Sequence, residues 1–184
     1  MTNEWGPLGG LAGEWEGAGG LDTAFSHTHQ NKVLGTPYLE QCTMKPFGPV
    51  DNGTQHLYGL DYKSSMWRGD EENPFYTEVA YWLWDAATGE IMRGFVIPRG
   101  VTVLAGGTAA ADATEFTLKA AQDSAQYNIG ENLYLAKNAS TLSYEVTITV
   151  GDDAWSYHET TMLRMNEFEE PFAHIDHNTL RPVG

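Results

Sequence analysis

The stretch Phe75-Tyr-Thr-Glu-Val-Ala-Tyr-Trp-Leu-Trp84 decides the fold class, because aromatic and β-branched residues dominate it. A short loop, Asp85-Ala-Ala-Thr-Gly89, follows it, and a second β-forming run then extends over 90–97. Two such runs around a short loop that contains Gly predict an antiparallel hairpin. Pro98-Arg99-Gly100 then places Pro and Gly where a tight turn needs them, which predicts another strand from residue 101 onward.

The rest of the chain repeats this pattern of short β-forming runs between turn signals. The runs recur at intervals of about 8–12 residues, which is typical of a β-sandwich or a β-barrel. Gly151-Asp-Asp153 joins two of the later runs as a second predicted hairpin. Besides 75–84 and 90–97, the predicted strands are 38–44, 55–67, 101–104, 115–121, 142–150, 155–165 and 172–180.

These strands predict an all-β fold of about nine or ten antiparallel strands in sequence-adjacent order. A meander of this kind loses its two exposed edges when it closes into an up-and-down barrel, and a ten-stranded barrel encloses a cavity. Residues 1–37 are rich in glycine and show no clean period, so we expect an irregular N-terminal portal segment before the strands of 38–180. No shift in composition divides the chain, and 184 residues suit a single domain, 1–184.

Composition and charge exclude several classes of partner. The chain has 10 Lys and Arg against 25 Asp and Glu, a formal charge of −15 at pH 7, and this field repels nucleic acid and anionic membrane surfaces. The single cysteine, Cys42, excludes an internal disulfide framework and a cysteine-rich metal cluster. No apolar run is long enough to span a membrane, and the first residues do not resemble a secretory signal. We therefore expect a cytoplasmic protein.

Four groups of segments, spread over nearly the whole chain, carry a family resemblance. They are Pro7-Leu-Gly-Gly-Leu-Ala-Gly-Glu-Trp-Glu-Gly17; Pro37-Tyr-Leu-Glu-Gln41; 78–84 with 94–107, including Ile97-Pro-Arg-Gly-Val101; and 142–146 and 157–161 with His174-Ile-Asp-His-Asn-Thr-Leu-Arg181. In this order they resemble the nitrobindin-like family of haem-binding β-barrels, whose fold is lipocalin-like or fatty-acid-binding-protein-like. Residues 17–25 lack the family's Tyr-Pro-Thr stretch, which indicates a divergent, bacterial-type member.

The resemblance implies a ten-stranded barrel with a pocket for haem b at one mouth. A histidine near the C-terminus is the family's proximal iron ligand, and it corresponds most naturally to His174. Members of the family bind nitric oxide, and some isomerise peroxynitrite to nitrate. If the protein is an enzyme, the resemblance therefore implies a haem-dependent activity like that of a peroxynitrite isomerase.

Candidate site residues follow from this resemblance and from strand alternation. An imidazole gives a five-coordinate haem its axial nitrogen, and Asp176, on the same side of a strand as His174, could fix the imidazole tautomer. His177 points the other way and is the alternative ligand, while His174 could instead be a surface residue of a polar tail. We expect the remaining candidates to line the pocket or to pair with a ligand carboxylate: His158, Thr161, Met162 and Arg99.

Three functions stay open at this point. The first is a haem-binding barrel that binds nitric oxide or converts a reactive nitrogen species. The second is a non-enzymatic carrier of a small hydrophobic ligand, such as a fatty acid, in the same cavity. The third is a barrel with a collapsed interior that acts through its acidic surface. The first two imply a small-molecule partner, and a homodimer is also compatible with the sequence.

Overall fold

The computed structural model describes residues 3–184, with side chains from residue 4. Strands dominate the described residues, and the two helical segments are a kinked 3-10 helix, Asn3–Leu11, and α1, Leu133–Asn138. The strands are β1 Gly13–Ser26, β2 Lys32–Asn52, β3 Gln55–Trp67, β4 Tyr76–Asp85, β5 Glu90–Ile97, β6 Val101–Thr108, β7 Glu115–Ala121, β8 Ile129–Glu131, β9 Ala139–Val150, β10 Trp155–Met165 and β11 Phe172–Pro182. No helix within residues 3–184 is long and apolar enough to cross a membrane.

Ten of these strands form a closed antiparallel ring. Neighbours in sequence pair with one another from β1 to β7, β7 pairs with β9, and β11 returns to pair with β1. The short strand β8 pairs with β6 on the edge that β7 uses further along, and its Ile129 is buried in the core. The predicted all-β up-and-down barrel is therefore confirmed, together with the predicted hairpins β4–β5 and β9–β10.

The 3-10 helix closes the end of the barrel where β4 and β9 finish. Leu8 and Leu11 are completely buried there. The indole Nε1 of Trp5 donates to the carbonyl oxygens of Phe47 at 3.2 Å and Gly59 at 3.1 Å, which holds the segment against β2 and β3. The opposite end, where β4 begins and β10 finishes, is left as the mouth of the barrel.

The expectation of an irregular segment over 1–37 is wrong for the residues that the structure describes. Instead of a loop, this segment contains the 3-10 helix, the whole of β1 and the first part of β2. The glycines that suggested a loop allow close approach: a Cβ on Gly20 would overlap the ring of Tyr38, and one on Gly17 would lie 2.7 Å from Nδ2 of Asn178. They therefore permit tight packing over a bulged strand.

The buried 3-10 helix gives a first prediction. Leu8→Ala should lower the free energy of unfolding by about 2–5 kcal/mol, because it removes a fully buried side chain and leaves a cavity. Leu133→Ala, at a leucine that is 92% exposed, is the matched control and should change stability by no more than about 0.5 kcal/mol. Urea unfolding measures both, and equal effects would show that the 3-10 helix is not part of the core.

Candidate functional site

The mouth of the barrel opens into a cavity of about 470 Å³, a volume within the usual range of small-molecule sites. Strands β1, β3 to β6 and β9 to β11 form its wall, and α1 contributes Leu135. The outer part of the wall is largely apolar because it includes Phe25, Phe75, Ile97 and Leu163. The deeper part contains several charged side chains, which face one another across the interior.

His174 lies on β11 and faces this cavity, and it is the only histidine among the described side chains that lines it. Its Nε2 atom lies 2.6 Å from Oδ1 of Asp22 on the neighbouring strand β1. Burial lowers the pKa of His174, but the hydrogen bond to Asp22 and the negative charges of Asp22, Asp176 and Glu159 outweigh it and raise that pKa overall. The ring is therefore held firmly by a carboxylate.

Asp22 also faces a cation. It is only 6% exposed, and its Oδ2 lies 3.6 Å from Nη2 of Arg68, just after β3. The Arg68 guanidinium stacks over the ring of Phe75, 3.8 Å from the centroid. The Nε atom of Arg68 is buried and has no hydrogen-bond partner among the described residues. Arg68 thus brings an unused donor to the mouth of the cavity.

Asp176 joins a different network, deeper in the barrel. It accepts a hydrogen bond from the hydroxyl of Tyr38. The Tyr38 and Tyr157 hydroxyls lie 2.7 Å apart, and Tyr157 donates to Oε2 of Glu40 at 2.9 Å. Burial, followed by the negative charge of Glu159, raises the pKa of Asp176 to about 8. The sequence-based expectation that Asp176 would orient His174 therefore differs from the observed contact, which Asp22 makes.

Arg93 bridges the interior from one wall to the other. It extends from β5 to Glu78 on β4, and its Nη1 lies 3.2 Å from Oε2 of Glu159 on β10. Tyr144 donates to the same Glu159 oxygen at 2.6 Å, and Tyr76 donates to Glu78 at 2.8 Å. Burial raises the pKa of Glu78 despite the opposing charge of Arg93. The only cation of this network is thus shared between two carboxylates.

The sequence candidates separate into two groups. Thr161 lines the cavity beside His174, and Arg99 reaches its rim from the exposed β5–β6 turn. His158, His177 and Met162 do not line it. For His158 and Met162 this corrects the expected position, whereas His177 was expected to point away from the side of β11 that carries His174. His158 and His177 are direct cross-strand partners on the outer face, with ring planes 2° apart. Alternation explains this, because Thr161 and Leu163, which flank Met162, point inward.

Sequence reasoning missed the residues that make most of the polar contacts in the cavity. Asp22 lies in the segment that was expected to be irregular, so no strand face could be assigned to it. Glu78 and Arg93 gave a usable signal, since each occupies the otherwise apolar face of its strand, beside Ala80 and Trp82 in one case and Ile91 and Phe95 in the other. A charge on such a face predicts a buried partner of opposite sign.

A family model described as a THAP4-like, heme-binding beta-barrel domain matches residues 4–181. The chain belongs to this family. The family assignment expected from the sequence motifs is therefore confirmed. Among solved structures, the chain is similar to Rv2717c from M. tuberculosis, at 17% identity and a TM-score of 0.64, with 96% of this chain and 95% of that chain covered. At this identity the similarity supports the fold alone. A search of curated proteins found no match.

The Arg93 bridge gives a prediction about stability. Arg93→Met should lower the free energy of unfolding by about 3–5 kcal/mol, because it leaves the buried Glu78 and the half-buried Glu159 without their cation. The triple variant Arg93→Met, Glu78→Gln, Glu159→Gln should recover much of this loss, since it removes the unpaired charges. Thermal and urea unfolding measure both. A triple variant less stable than the single one would contradict the charge-balance explanation.

Asp176 predicts a pH dependence of stability. Its pKa is about 8 in the folded protein against an ordinary value of 3.8, so between these values the folded protein holds a proton that the unfolded chain has lost. The wild type should therefore lose stability relative to Asp176→Asn as pH rises, by about 1.4 kcal/mol per pH unit within this window. Urea unfolding at pH 5, 6, 7 and 8 measures the difference, which should stay constant for the exposed control Asp61→Asn.

Proposed function

We propose that the barrel binds haem b in its cavity, with His174 as the axial ligand of the iron, and that the bound haem takes up nitric oxide. The observation that carries this proposal is the placement of His174, the one described histidine that lines the cavity of a protein from a haem-binding barrel family. A single imidazole suits a five-coordinate haem, because the other axial position then stays free for a small gas.

The remaining residues of the cavity fit a haem. Phe25, Phe75 and Leu163 offer an apolar wall to the faces of a porphyrin. The buried Nε of Arg68 is an unused donor, and Arg99 adds a second cation at the rim. Charge-assisted hydrogen bonds from arginine are well suited to the propionate groups. When bound, the haem supplies the redox-active iron and the open coordination position, while the chain supplies the ligand, the wall and the rim cations.

The charges in the deeper part of the cavity favour a neutral ligand over an anion. In its deeper part Glu78 and Glu159 share the single cation Arg93, whereas the other lining cations, Arg68 and Arg99, lie at the mouth and the rim. A negative potential disfavours the approach of peroxynitrite but has little effect on nitric oxide. Binding of nitric oxide is therefore the activity we propose, and peroxynitrite isomerisation is the weaker of the two activities that the family resemblance implies.

The alternative function, a carrier of a fatty acid, receives less support from the same contacts. An apolar acid in a barrel needs a cation deep in the cavity for its carboxylate. The cation at that depth is Arg93, and Glu78, Glu159 and Tyr144 already surround it. Arg68, at the mouth, would be left to bind the acid.

The cytoplasmic location and the homodimer remain predictions. Sedimentation velocity can test the homodimer.

Haem titration tests the proposal. The wild type should develop a Soret band that saturates at one haem per chain, and His174→Ala should lose it because the axial nitrogen is removed. His56→Ala is the matched control: this exposed histidine also pairs with a carboxylate at 2.6 Å, that of Asp51, but it does not line the cavity. His177→Ala, on the outer face, should also keep the band.

The outcomes of this experiment are distinct. A native spectrum in His174→Ala would remove His174 from the role, and loss of the band in His177→Ala alone would make His177 the ligand. Native mass spectrometry of the purified wild type separates the second candidate function. A co-purified fatty acid together with no uptake of haem would support the carrier and overturn the haem proposal.

A further inference from the structure

An apolar patch lies on the outside of the barrel, on three neighbouring strands. Nine large apolar side chains are exposed among the described residues, and four of them lie on β4, β5 and β6: Val79, Tyr81, Val96 and Leu104. Alternation turns all four away from the cavity, because residues next to them in sequence face the core. Single exposed apolar residues are ordinary, whereas a contiguous group of them often marks an interaction site.

The strand register makes these four side chains one continuous patch. Val79 and Val96 are direct cross-strand partners on β4 and β5. Tyr81 is opposite Gly94 on β5, and Gly94 is opposite Leu104 on β6. A Cβ on Gly94 would lie 3.7 Å from Cδ1 of Leu104, so the leucine leans over the glycine that separates it from Tyr81. We refer to Val79, Tyr81, Val96 and Leu104 as the Tyr81 patch.

A shallow groove of about 630 Å³ extends the Tyr81 patch toward β2. Phe47 of β2 packs edge-on against Tyr81, with the ring centroids 5.5 Å apart. The other apolar residues of the groove are Pro46, Val50, Leu57 and Leu83. Tyr81, which is 56% exposed, therefore lies between the groove on one side and the rest of the patch on the other.

Charged side chains border the patch without making it acidic. Asp61 of β3 is the cross-strand partner of Tyr81 on one side and of Lys45 on the other. Lys63, two residues further along β3, is the partner of Val79. The border thus has two cations and one carboxylate, whereas the whole chain has a formal charge of −15. Two copies that meet through this patch therefore hold most of their negative charge away from the contact.

The pairing of the strands limits how a partner can bind to the patch. Strands β3, β4 and β5 each have a hydrogen-bonded neighbour on both sides, so none of them can accept an added strand. A partner must instead pack its own side chains on the patch. A second copy of the chain suits this requirement, because an apolar centre bordered by both signs of charge is complementary to itself across a two-fold axis.

The area of the patch sets the strength of such a contact. Strands lie ~4.8 Å apart, and outward residues repeat every ~6.8 Å along a strand. The four strands from β3 to β6, with three outward rows, therefore present on the order of 400 Å² per copy. Standard stable interfaces bury about 800 Å² per partner. The contact is thus that of a weak dimer, with a dissociation constant on the order of 10–100 µM.

We propose that the Tyr81 patch is the contact through which two copies of this chain form a weak, two-fold symmetric dimer. The inference goes beyond the proposed haem function and does not depend on it, since the cavity is lined by the inward residues of these strands and the patch lies on their outer side. It also gives the predicted homodimer a defined surface.

Sedimentation velocity from about 1 µM to about 500 µM protein tests the proposal, because this range brackets the expected dissociation constant. The wild type should change from monomer to dimer across it. Val96→Glu and Tyr81→Glu should each weaken the dimer by at least about 10-fold, since a carboxylate would be buried among apolar side chains. Val33→Glu is the matched control: Val33 is 46% exposed against 47% for Val96, but it is opposite Phe25 of β1, away from the patch. It should associate like the wild type.

The variants should keep the fold, because each replaces an exposed side chain. Circular dichroism and the urea midpoint of the monomer should therefore match those of the wild type. Tyr81→Ser, which adds no charge, is a second variant at the centre of the patch and should weaken the dimer by a smaller factor than Tyr81→Glu.

Salt separates an apolar contact from one held by ion pairs. Added NaCl screens the repulsion between two acidic copies, so it should strengthen the dimer. A dimer that dissociates as the salt concentration rises would contradict the proposed apolar contact.

Protein NMR locates the contact directly. The 1H–15N amide signals of 79–83, 92–96 and 102–104 should shift with protein concentration in the wild type, and the same signals should stay fixed in Val96→Glu. Concentration-dependent shifts confined to another part of the surface would overturn the inference.

The outcomes distinguish the possible occupants of the patch. A wild type that stays monomeric over the whole range overturns the proposal and leaves the patch to a different protein. A dimer that Val96→Glu and Tyr81→Glu leave intact also overturns it, because the two copies then meet elsewhere. Haem titration is a separate measurement, so a failure to take up haem would overturn the proposed function and leave this inference standing.

Discussion

The constraint on which the structure depends is that each strand of the ring has a hydrogen-bonded neighbour on both sides. Closure satisfies the backbone and removes the exposed edges, but it also commits every second residue to the interior. Ten strands surround more space than these side chains fill at one end, so a cavity remains at the mouth. At the other end the 3-10 helix and the large aromatic side chains complete the packing. The position of the cavity therefore follows from where the chain places its bulky residues.

The same constraint explains the polar interior. A charged residue on an inward position has no access to bulk water and must find a partner inside the barrel. Arg93 meets this requirement with two carboxylates, and Glu40 meets it with the donors Ser64, Tyr157 and Asn178. Burial raises the pKa of Asp176, and the negative charges of Glu159, Glu40 and Asp22 raise it further. The interior thus combines an apolar core with a connected polar network.

The sequence predicts the strongly patterned parts of this fold and misses the parts whose role depends on distant neighbours. The hairpin β4–β5 was predictable because its aromatic and β-branched residues alternate around a turn that ends at Gly89. Strand β1 was not, because Gly17 and Gly20 resemble loop residues until Asn178 and Tyr38 are known to pack over them. For the candidate site, alternation correctly separated His174 from His177. The partner of His174 could not be found locally, because Asp22 is 152 residues away along the chain.

The pairing of β1 with β11 has a consequence for how the protein is made. Strand β1 can pair with β11 only after residues 172–182 have been synthesised, so the ring cannot close before then. Long-range pairing of this kind is also slow, since the loop it closes spans almost the whole chain. His174 lies on that last strand and Asp22 on the first. A chain that lacks β11 therefore has neither the seam nor the histidine pocket, and any ligand that needs this pocket can bind only after the ring has closed.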